Sequence, residues 1–520
     1  MSAFSIGHLF EAGSADLLRD HYDDFKENFK ALGVEVRNIS DDSRLIKSGD
    51  LFFAYPGFKQ DGRIHIAEAV KRGCSGVVWE VDGWLWNSEH AVPNIGVRNA
   101  RSLMGKFAAD FYDDPTSNQT VFAVTGTNGK TTCVNWIAES LHALGQNSAS
   151  IGTLGLKISG QESTVNFNIV EQTTPDAITL QRIFRELNDI DVNHLAIEAS
   201  SHALSQNRLD GTRVNIALFT NLTQEHTDYH GSLECYGLAK ARLFVLDTLS
   251  HSVINIDDKF GADLAAVLKR YEKCIVTYSV NNTKATVYAH SIKSTSYGSK
   301  FIVDSPWGSR SIEARVIGEF NISNLLAVVS GLVCSGISFE KACGAISGLT
   351  HPQGRLQKVR SLFKRSVYVD YAHTPDALKS VLATLKGLVQ FDGRLITVFG
   401  AGGDRDKNKR PKMGEVVLDY SDIAIVTSDN PRYEDPLEIS EAIVVGNKNR
   451  FMIDLDRRSA IRRAIDLSGE ADIVLIAGKG HEKYQEVAGK RFSFDDYSEA
   501  ESYLNDMYSG SIKHEGCLNV

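Results

Sequence analysis

The chain has 520 residues with a formal net charge of −9, and 42% of its residues are hydrophobic. A chain of this length is expected to divide into roughly two to four domains, and its negative charge argues against nucleic acid or an anionic membrane surface as a partner. The scattered cysteines lack a C-x-x-C pair, and neither a signal peptide nor a run of 18 apolar residues occurs, so we expect a cytoplasmic protein without membrane insertion, a disulfide framework or a cysteine zinc site.

Two segments that contain proline, residues 111–120 and 348–355, predict three domains over residues 1–112, 113–350 and 351–520. Strand-like apolar runs alternate with segments of helical spacing along the chain, which predicts an α/β fold with parallel sheets covered by helices. In chain order, the predicted elements are a helix and a strand within 65–80, a strand at 121–124, a helix at 131–145, strands at 194–200 and 214–222, a helix at 237–249, antiparallel strands within 281–313, and strands alternating with helices at 366–372, 376–388, 394–401, 422–428, 461–469 and 472–480.

The segment TGTNGKTT follows the predicted strand at 121–124 and opens the predicted helix at 131–145, as a phosphate-binding loop requires. Gly126 and Gly129 allow backbone N–H groups to face a phosphate, Lys130 can reach the β and γ oxygens, and Thr131 can bind Mg²⁺. The general P-loop pattern has glycine where Val124 stands, and a GKT triplet also arises by chance. The flanking elements favour nucleotide binding.

A second group of polar residues follows the next two predicted strands. Glu198 ends the first of these strands, a suitable position for a carboxylate on phosphate-bound Mg²⁺. Four acidic and histidine residues follow the second, namely Glu225, His226, Asp228 and His230. Their order is not H-E-x-x-H, so a zinc protease is excluded, and a hydrogen-bonded turn is the alternative to a site. Lys240 lies between apolar residues, where a surface lysine with a buried stem is the alternative.

Arg432 stands in VTSDNPRYEDP, where a predicted strand meets a helix between two prolines. Open α/β sheets bind ligands at the carboxyl ends of their strands. The segment therefore allows two interpretations, a solvated surface turn or a ligand contact.

Nine segments together resemble the Mur ligase family in sequence and in order: TGTNGKTT, EASSHALSQNR, TNLTQEHTDYHG, AKARLF, GEFNISNLLA, VDYAHTPDAL, GAGGDRDKNKRPKMG, SDNPRYEDP and AGKGHEKYQ. Residues 42–63 resemble the UDP-binding domain of that family, and only the tail from about Met507 carries no resemblance. The resemblance implies a smaller N-terminal α/β domain that binds the UDP substrate, a central ATP-binding domain with a P-loop ATPase-type parallel sheet, and a Rossmann-like C-terminal domain that binds an amino acid.

The resemblance also implies an activity, that of an ATP-dependent amide ligase in peptidoglycan precursor synthesis. The expected reaction joins meso-diaminopimelate to UDP-N-acetylmuramoyl-L-alanyl-D-glutamate through an acyl phosphate, with ATP as cosubstrate, Mg²⁺ as cofactor and a monomeric enzyme. Addition of L-lysine is the nearest alternative. A P-loop GTPase or kinase and a non-catalytic homologue are more distant alternatives, and a GTPase would require an N-K-x-D loop, which the sequence lacks.

Residue roles follow from the same resemblance. The implied catalytic residues are Lys130, Glu198, His226 and Lys240, and the implied Mg²⁺ ligands are Thr131, Glu198, His226 and Lys240, the last as a carbamate. The implied ATP contacts are Gly126, Thr127, Asn128, Gly129, Lys130, Thr131, Thr132, Asn324 at the adenine, Arg355 at the γ-phosphate and Asp370 at the ribose. The implied contacts of the UDP-linked dipeptide are Ser43, Gln172, Thr173, Thr174, Ser200, Gln206 and Arg208. The implied contacts of diaminopimelate are Arg405, Asp429, Asn430, Pro431, Arg432, Gly478 and Glu482.

Overall fold

The computed structural model describes residues 6–9, 14–58, 60–161 and 172–517, and its strands form three larger sheets and one hairpin. The first sheet has four parallel strands in the order β1-β2-β3-β4. Its elements are α1 Ser14–Ala31, β1 Ile39–Ser40, β2 Leu51–Ala54, α2 Ile66–Lys71, β3 Gly76–Glu80, β4 Asn94–Val97 and α3 Ala100–Phe111. Aromatic rings join α1 and α3 to the sheet, because the Phe107 ring lies 5.8 Å from that of Phe25 and 5.5 Å from that of Phe53.

The second sheet has ten strands in the order β14-β13-β12-β11-β10-β9-β5-β8-β6-β7. Its strands are β5 Thr120–Thr125, β6 Ser148–Gly152, β7 Gly155–Ile158, β8 His194–Glu198, β9 Ile216–Phe219, β10 His251–Asn255, β11 Ile275–Ser279, β12 Val287–Thr295, β13 Gly298–Ser305 and β14 Gly308–Ala314. Its helices are α4 Lys130–Ala143, α5 Ala177–Asn188, α6 Ser201–Ser205, α7 Thr227–His230, α8 Leu233–Ala241, α9 Lys259–Arg270, α10 Glu319–Cys334 and α11 Phe339–Ser347.

Strand β5 shows why this sheet has helices on both faces. Phe122 and Val124 lie in one hydrophobic core together with α10, whereas Val121 and Ala123 lie in the other core together with α5 and α9. Successive side chains of a strand point to opposite faces, so a strand that is apolar throughout is buried on both sides. The parallel centre of the sheet and the antiparallel strands predicted within 281–313 are both confirmed.

The third sheet has six strands in the order β15-β16-β20-β17-β18-β19, parallel except for β15, and β21 and β22 form a separate antiparallel hairpin. Its elements are β15 Gln357–Lys358, β16 Ser366–Asp370, α12 Pro375–Lys386, β17 Leu395–Phe399, α13 Lys409–Tyr420, β18 Ile423–Val426, α14 Pro436–Ile443, β19 Met452–Ile453, α15 Arg457–Leu467, β20 Ile473–Ala477, β21 Tyr484–Val487, β22 Lys490–Ser493 and α16 Asp496–Cys517. The alternation of strands and helices predicted for this part is confirmed.

The helix predicted over residues 237–249 is wrong in its extent. Helix α8 ends at Ala241, and a 3₁₀ turn over Arg242–Val245 follows it. Leu243 and Phe244 are both fully buried in the core that α5 and α9 contact. The apolar run that favoured a longer helix is therefore a buried connection that turns the chain toward β10.

Two expectations from composition concern cysteines and membranes. The cysteines whose side chains the structure describes are free, namely Cys74, Cys133, Cys235, Cys274, Cys334 and Cys343, and the Cys517 side chain lies outside the described part. Among the helices of the described ranges, none combines the length and the apolar character needed to cross a membrane.

Candidate active site

The segment after β5 forms a tight loop that only glycine permits at two positions. Gly126 has φ 147° and Gly129 has φ 89°. A Cβ atom would lie 1.9 Å from Thr220 Oγ1 at the first position and 2.6 Å from Asn324 Oδ1 at the second. Both glycines are therefore required by backbone conformation and by space. The loop places seven predicted ATP contacts at the start of α4: Gly126, Thr127, Asn128, Gly129, Lys130, Thr131 and Thr132.

Two lysine ammonium groups donate hydrogen bonds to carbonyl oxygens of this loop. Lys130 Nζ lies 2.9 Å from Gly126 O and 2.8 Å from Thr127 O, and Lys240 Nζ lies 2.7 Å from Gly126 O. Lys240 is 1% exposed, so the surface-lysine interpretation is wrong. Burial and the nearby charge of Lys130 hold the pKa of Lys240 well below its ordinary value, although Glu225 acts in the opposite direction.

Arg355, from the segment before the third sheet, reaches the same loop. Its Nη2 donates to Thr131 Oγ1 at 3.1 Å, and its guanidinium lies 4.6 Å from the centre of the Tyr371 ring. The Nε atom of Arg355 is buried and has no hydrogen-bond partner among the described residues. A buried N–H group without an acceptor fits an anion that binds beside the loop.

Asp370 and Asn324, which we expect at the ribose and the adenine, are both buried. The two Asp370 carboxylate oxygens accept from the backbone N–H groups of Leu356 at 2.6 Å and Ala372 at 2.7 Å. Asn324 lies beside Gly129 of the loop. Their contacts with the nucleotide stay predictions.

Glu198 lies beside the loop because β8 pairs with β5 in a register that sets Glu198 opposite Val124. Its carboxylate is 1% exposed and accepts from the backbone N of Thr153 at 2.8 Å and from its Oγ1 at 3.2 Å. These bonds fix the carboxylate at the carboxyl end of the strand, where a ligand of the loop would contact it.

The donors fit a Mg²⁺ ion that binds together with a nucleotide. In the described ranges, no group of three or more His, Cys, Asp or Glu side chains could hold a metal ion. The Thr131 hydroxyl and the Glu198 carboxylate are oxygen donors, which Mg²⁺ prefers alongside phosphate oxygens. His226 and Lys240 do not form a second set of metal ligands in this arrangement, because the Lys240 amine donates to the loop and His226 Nε2 lies 3.8 Å from Glu225 Oε2.

The acidic and histidine group joins two parts of the chain. His226 precedes α7, and burial lowers the pKa of its imidazole, which favours the neutral form that binds metals. Glu225 Oε1 lies 3.5 Å from Nε2 of His373, which follows β16 of the third sheet. The backbone from Thr227 to His230 forms the short helix α7, so a hydrogen-bonded turn does not describe the whole group, and the Glu225 side chain connects the second and third sheets.

Arg208 gathers the residues predicted to bind the UDP-linked dipeptide. Its guanidinium donates to Thr174 O at 2.6 Å, to Gln206 Oε1 at 2.8 Å and to Gln172 Oε1. Ser200 Oγ accepts from Thr174 Oγ1 at 3.2 Å. The guanidinium therefore supplies a positive charge within this group of polar side chains.

Two other members of the predicted dipeptide set, Thr173 and Ser43, have partners outside this group. Thr173 Oγ1 lies 3.3 Å from Thr153 Oγ1, next to Glu198. Ser43 lies in a 3₁₀ turn between β1 and β2 of the first sheet, and its hydroxyl donates to Glu68 at 2.9 Å. The predicted set therefore spans the first and second sheets.

The predicted diaminopimelate contacts meet at the carboxyl ends of β18 and β20. Asn430 Nδ2 donates to Glu482 Oε2 at 2.8 Å, and its Oδ1 accepts from Lys479 Nζ at 2.9 Å. Lys479 Nζ also lies 3.2 Å from Glu482 Oε2 and 3.6 Å from Asp429 Oδ1. A Cβ atom at Gly478 would lie 2.7 Å from Asp429 Oδ2, so glycine allows this close approach.

Arg432 is not a solvated turn residue, because its side chain is 20% exposed and bonded within the protein. Its Nη1 donates to Gly403 O at 2.7 Å, and its Nε lies 3.4 Å from Glu486 Oε2. The residue has φ 52°, and its backbone pairs with β21 of the hairpin. Pro431 is buried, and the exposed Arg405 and Arg432 both approach Gly402.

Lys479 and Thr153 bond to predicted site side chains and are among the residues that the sequence analysis did not indicate. Lys479 is 0% exposed and stands between two glycines in AGKGHE, directly after a strand, which is a signal that could have found it. Thr153 follows β6, and nothing in the local sequence indicates its contact with Glu198.

Three models of protein-family domains match successive parts of the chain. Residues 35–112 match the model described as Mur ligase family, catalytic domain. Residues 124–331 match the Mur ligase middle domain, and residues 354–480 match the Mur ligase, glutamate ligase domain.

The relatives are similar over nearly the whole chain. The UDP-N-acetylmuramoyl-L-alanyl-D-glutamate--2,6-diaminopimelate ligase of Chromobacterium violaceum is 40% identical over 475 residues, which are 91% of this chain and 95% of the relative. The enzyme of the same name from Coxiella burnetii is 42% identical over 487 residues, which are 92% and 98% of the two chains. This chain belongs to the Mur ligase family.

Solved structures agree with the fold. A structure of UDP-N-acetylmuramoyl-L-alanyl-D-glutamate--2,6-diaminopimelate ligase is 35% identical, with a TM-score of 0.66 over 91% of this chain and 95% of its own. The MurF ligase of Thermotoga maritima in complex with ADP is 16% identical, with a TM-score of 0.59 over 91% and 97% of the two chains. The second likeness concerns the fold alone.

Proposed function

We propose that this protein is an ATP-dependent, ADP-forming ligase that joins meso-diaminopimelate to UDP-N-acetylmuramoyl-L-alanyl-D-glutamate in peptidoglycan precursor synthesis. The observation that carries the proposal is the similarity, at 40% and 42% identity over more than nine-tenths of the chain, to relatives named for this reaction. The proposal includes a UDP-substrate domain over residues 1–112, an ATP domain over 113–350, an amino-acid domain over 351–520, and a cytoplasmic monomer.

The first chemical step is attack of the dipeptide's free carboxylate on the γ-phosphorus of ATP, which forms an acyl phosphate and releases ADP. Charge on the transferred phosphoryl oxygens is stabilised by Lys130, by Arg355 and by the N-terminus of α4. Lys130 leaves the carbonyls of its own loop for the phosphates, and the free Nε–H of Arg355 gains an acceptor.

The second step is attack of an amine of diaminopimelate on the acyl phosphate. A tetrahedral intermediate forms and collapses to an amide with loss of phosphate. Arg208 and the polar side chains around it hold the anionic dipeptide, which keeps the acyl group in one place during both steps.

Mg²⁺ held by Thr131 and Glu198 would neutralise phosphate charge, and a second ion would be held by His226 and a carbamate of Lys240. Carbamate formation requires a neutral amine, which the low pKa of the buried Lys240 supports. The carbamate replaces an ammonium that would repel Mg²⁺ by an anionic oxygen donor.

The distal end of diaminopimelate carries both a carboxylate and an ammonium. We assign the carboxylate to Arg432 with Arg405 nearby, and the ammonium to the Asp429 and Glu482 carboxylates with the Asn430 amide. L-Lysine lacks that distal carboxylate, so the arginines have nothing to bind in it.

Phosphate release from ATP tests the proposal. Release should require the UDP-linked dipeptide and meso-diaminopimelate together, and mass spectrometry of the product should show their amide. If L-lysine were used as efficiently, the assignment of meso-diaminopimelate would be wrong. Phosphate release without either substrate would contradict the ligase reaction.

A further inference from the structure

Lys479 is a fully buried cation whose acceptors are side chains of the proposed amino-acid site. Its ammonium lies 2.9 Å from Asn430 Oδ1, 3.2 Å from Glu482 Oε2 and 3.6 Å from Asp429 Oδ1. None of these acceptors is a backbone carbonyl. A lysine whose role was only to stabilise the fold would not need partners that are all proposed ligand contacts.

Arg457, a second fully buried cation nearby, has a different set of partners. Its guanidinium forms a two-bond ion pair with Asp496, at 2.7 and 2.6 Å, and donates to Ser428 O and Ala477 O. One positive charge thus meets one direct negative charge, and backbone carbonyls take its remaining N–H groups. Lys479 instead lies between two carboxylates, and the charge of Arg457 also acts on both of them.

The ammonium of Lys479 and the backbone N–H of Glu486 together orient Asn430. Because an ammonium only donates hydrogen bonds, Asn430 must turn its Oδ1 toward it, and the backbone N of Glu486 donates to the same oxygen at 2.9 Å. The Asn430 NH₂ group then faces Glu482 Oε2. Lys479 and Asn430 both donate to Glu482 Oε2, and neither donates to Glu482 Oε1.

We propose that Lys479 is a positioning residue that prepares the cluster of Asp429, Asn430 and Glu482 for the ammonium of the incoming amino acid. This inference rests on the proposed function. Lys479 lies between two carboxylates, helps to orient the amide, and leaves Glu482 Oε1 for the substrate ammonium. Without it, the carboxylates lose the cation between them, and Asn430 Oδ1 keeps only the backbone N–H of Glu486 as a donor.

Lys479→Met tests the inference, because methionine keeps an apolar side chain of similar length and removes the charge. Steady-state kinetics of the full chain should show the KM for meso-diaminopimelate rise by about tenfold or more, since the substrate ligands lose their orientation. The KM values for ATP and for the UDP-linked dipeptide should stay within about twofold of the wild type, as should kcat at saturating diaminopimelate.

Two control variants separate positioning from other effects. Lys483→Met removes the same charge from an exposed position four residues along the chain, and it should leave all three KM values unchanged. Asp472→Asn weakens an ion pair in which Arg394 Nη2 lies 2.7 Å from Asp472 Oδ2. These two residues directly precede β17 and β20, so the pair lies at the amino ends of the strands, away from the cluster at their carboxyl ends. This variant should lower the melting temperature without raising the KM for diaminopimelate selectively.

An unchanged KM for diaminopimelate in folded Lys479→Met overturns the inference, as does an equal rise of all three KM values. If this variant does not fold, Lys479→Gln, which keeps an N–H donor, must show the same selective rise; if neither variant folds, the lysine is structural and the inference is wrong. Should the wild type use another amino acid, the proposed function fails, and the same KM comparison with that amino acid tests Lys479 separately.

Discussion

The phosphate loop and the cluster around Lys479 both contain lysines that are bonded inside the protein, but these lysines have different acceptors. At the loop, Lys130 and Lys240 donate to backbone carbonyl oxygens. Around Lys479, the acceptors are an amide oxygen and two carboxylates. We therefore expect a phosphate to replace carbonyl acceptors at the first region and an ammonium to bind the oriented side chains of the second.

Removing Lys130 should have the largest effect, since the loop would lose the charge that reaches the phosphates. We expect Lys130→Ala to lower kcat/KM by about a thousandfold, with an unchanged circular dichroism spectrum. Lys364→Ala, at an exposed position, is the control and should retain activity. Near-normal turnover in folded Lys130→Ala would show that the Lys130 charge has no role in phosphoryl transfer.

Lys240 should contribute to the same region in a different way, as a carbamate. Lys240→Ala should lower turnover by about a hundredfold, and short carboxylic acids at high concentration should partly restore it, because they supply the missing anionic oxygen. Lys130→Ala should not respond to these acids. An unmodified amine in fully active enzyme, observed by intact mass or crystallography, would contradict the carbamate.

Arg432 tests the amino-acid side of the comparison. Arg432→Ala should raise the KM for meso-diaminopimelate by about thirtyfold or more, which corresponds to the loss of a buried charge partner at about 2 kcal/mol or more. The KM for ATP should change little, and Arg450→Ala, at an exposed position, serves as the control. Equal efficiency with L-lysine and meso-diaminopimelate in the wild type would return Arg432 to a structural role with Gly403 and Glu486.

A balanced ion pair away from both regions should show the smallest effect. Arg458 and Glu499 lie 2.7 Å apart with partly exposed side chains. Glu499→Gln should change the free energy of unfolding, measured by urea denaturation, by less than about 1 kcal/mol and should leave kinetic constants unchanged. A selective change in any substrate KM would show that removal of a charge at a distant position is enough to change substrate binding. The KM changes expected for Arg432→Ala and Lys479→Met would then not be specific to those positions.

The sequence by itself determined what depends on neighbouring residues. Apolar periodicity predicted the strands and helices, and TGTNGKTT predicted a loop whose glycines are required at Gly126 and Gly129, because backbone conformation and helix starts are local properties. The ordered motifs also identified the family. The extent of helix α8 was not predictable, because Leu243 and Phe244 after it are buried against residues of α5 and α9, which are distant in sequence.

Only the tertiary structure decided which charges are matched. Asp429 and Lys479 come from the ends of β18 and β20, which flank β17, and Thr153 reaches Glu198 because β6 lies beside β8. Such partners are far apart in sequence and meet only when parallel strands are placed side by side. Which acceptors surround each lysine is therefore decided by the tertiary arrangement, and no local pattern contains it.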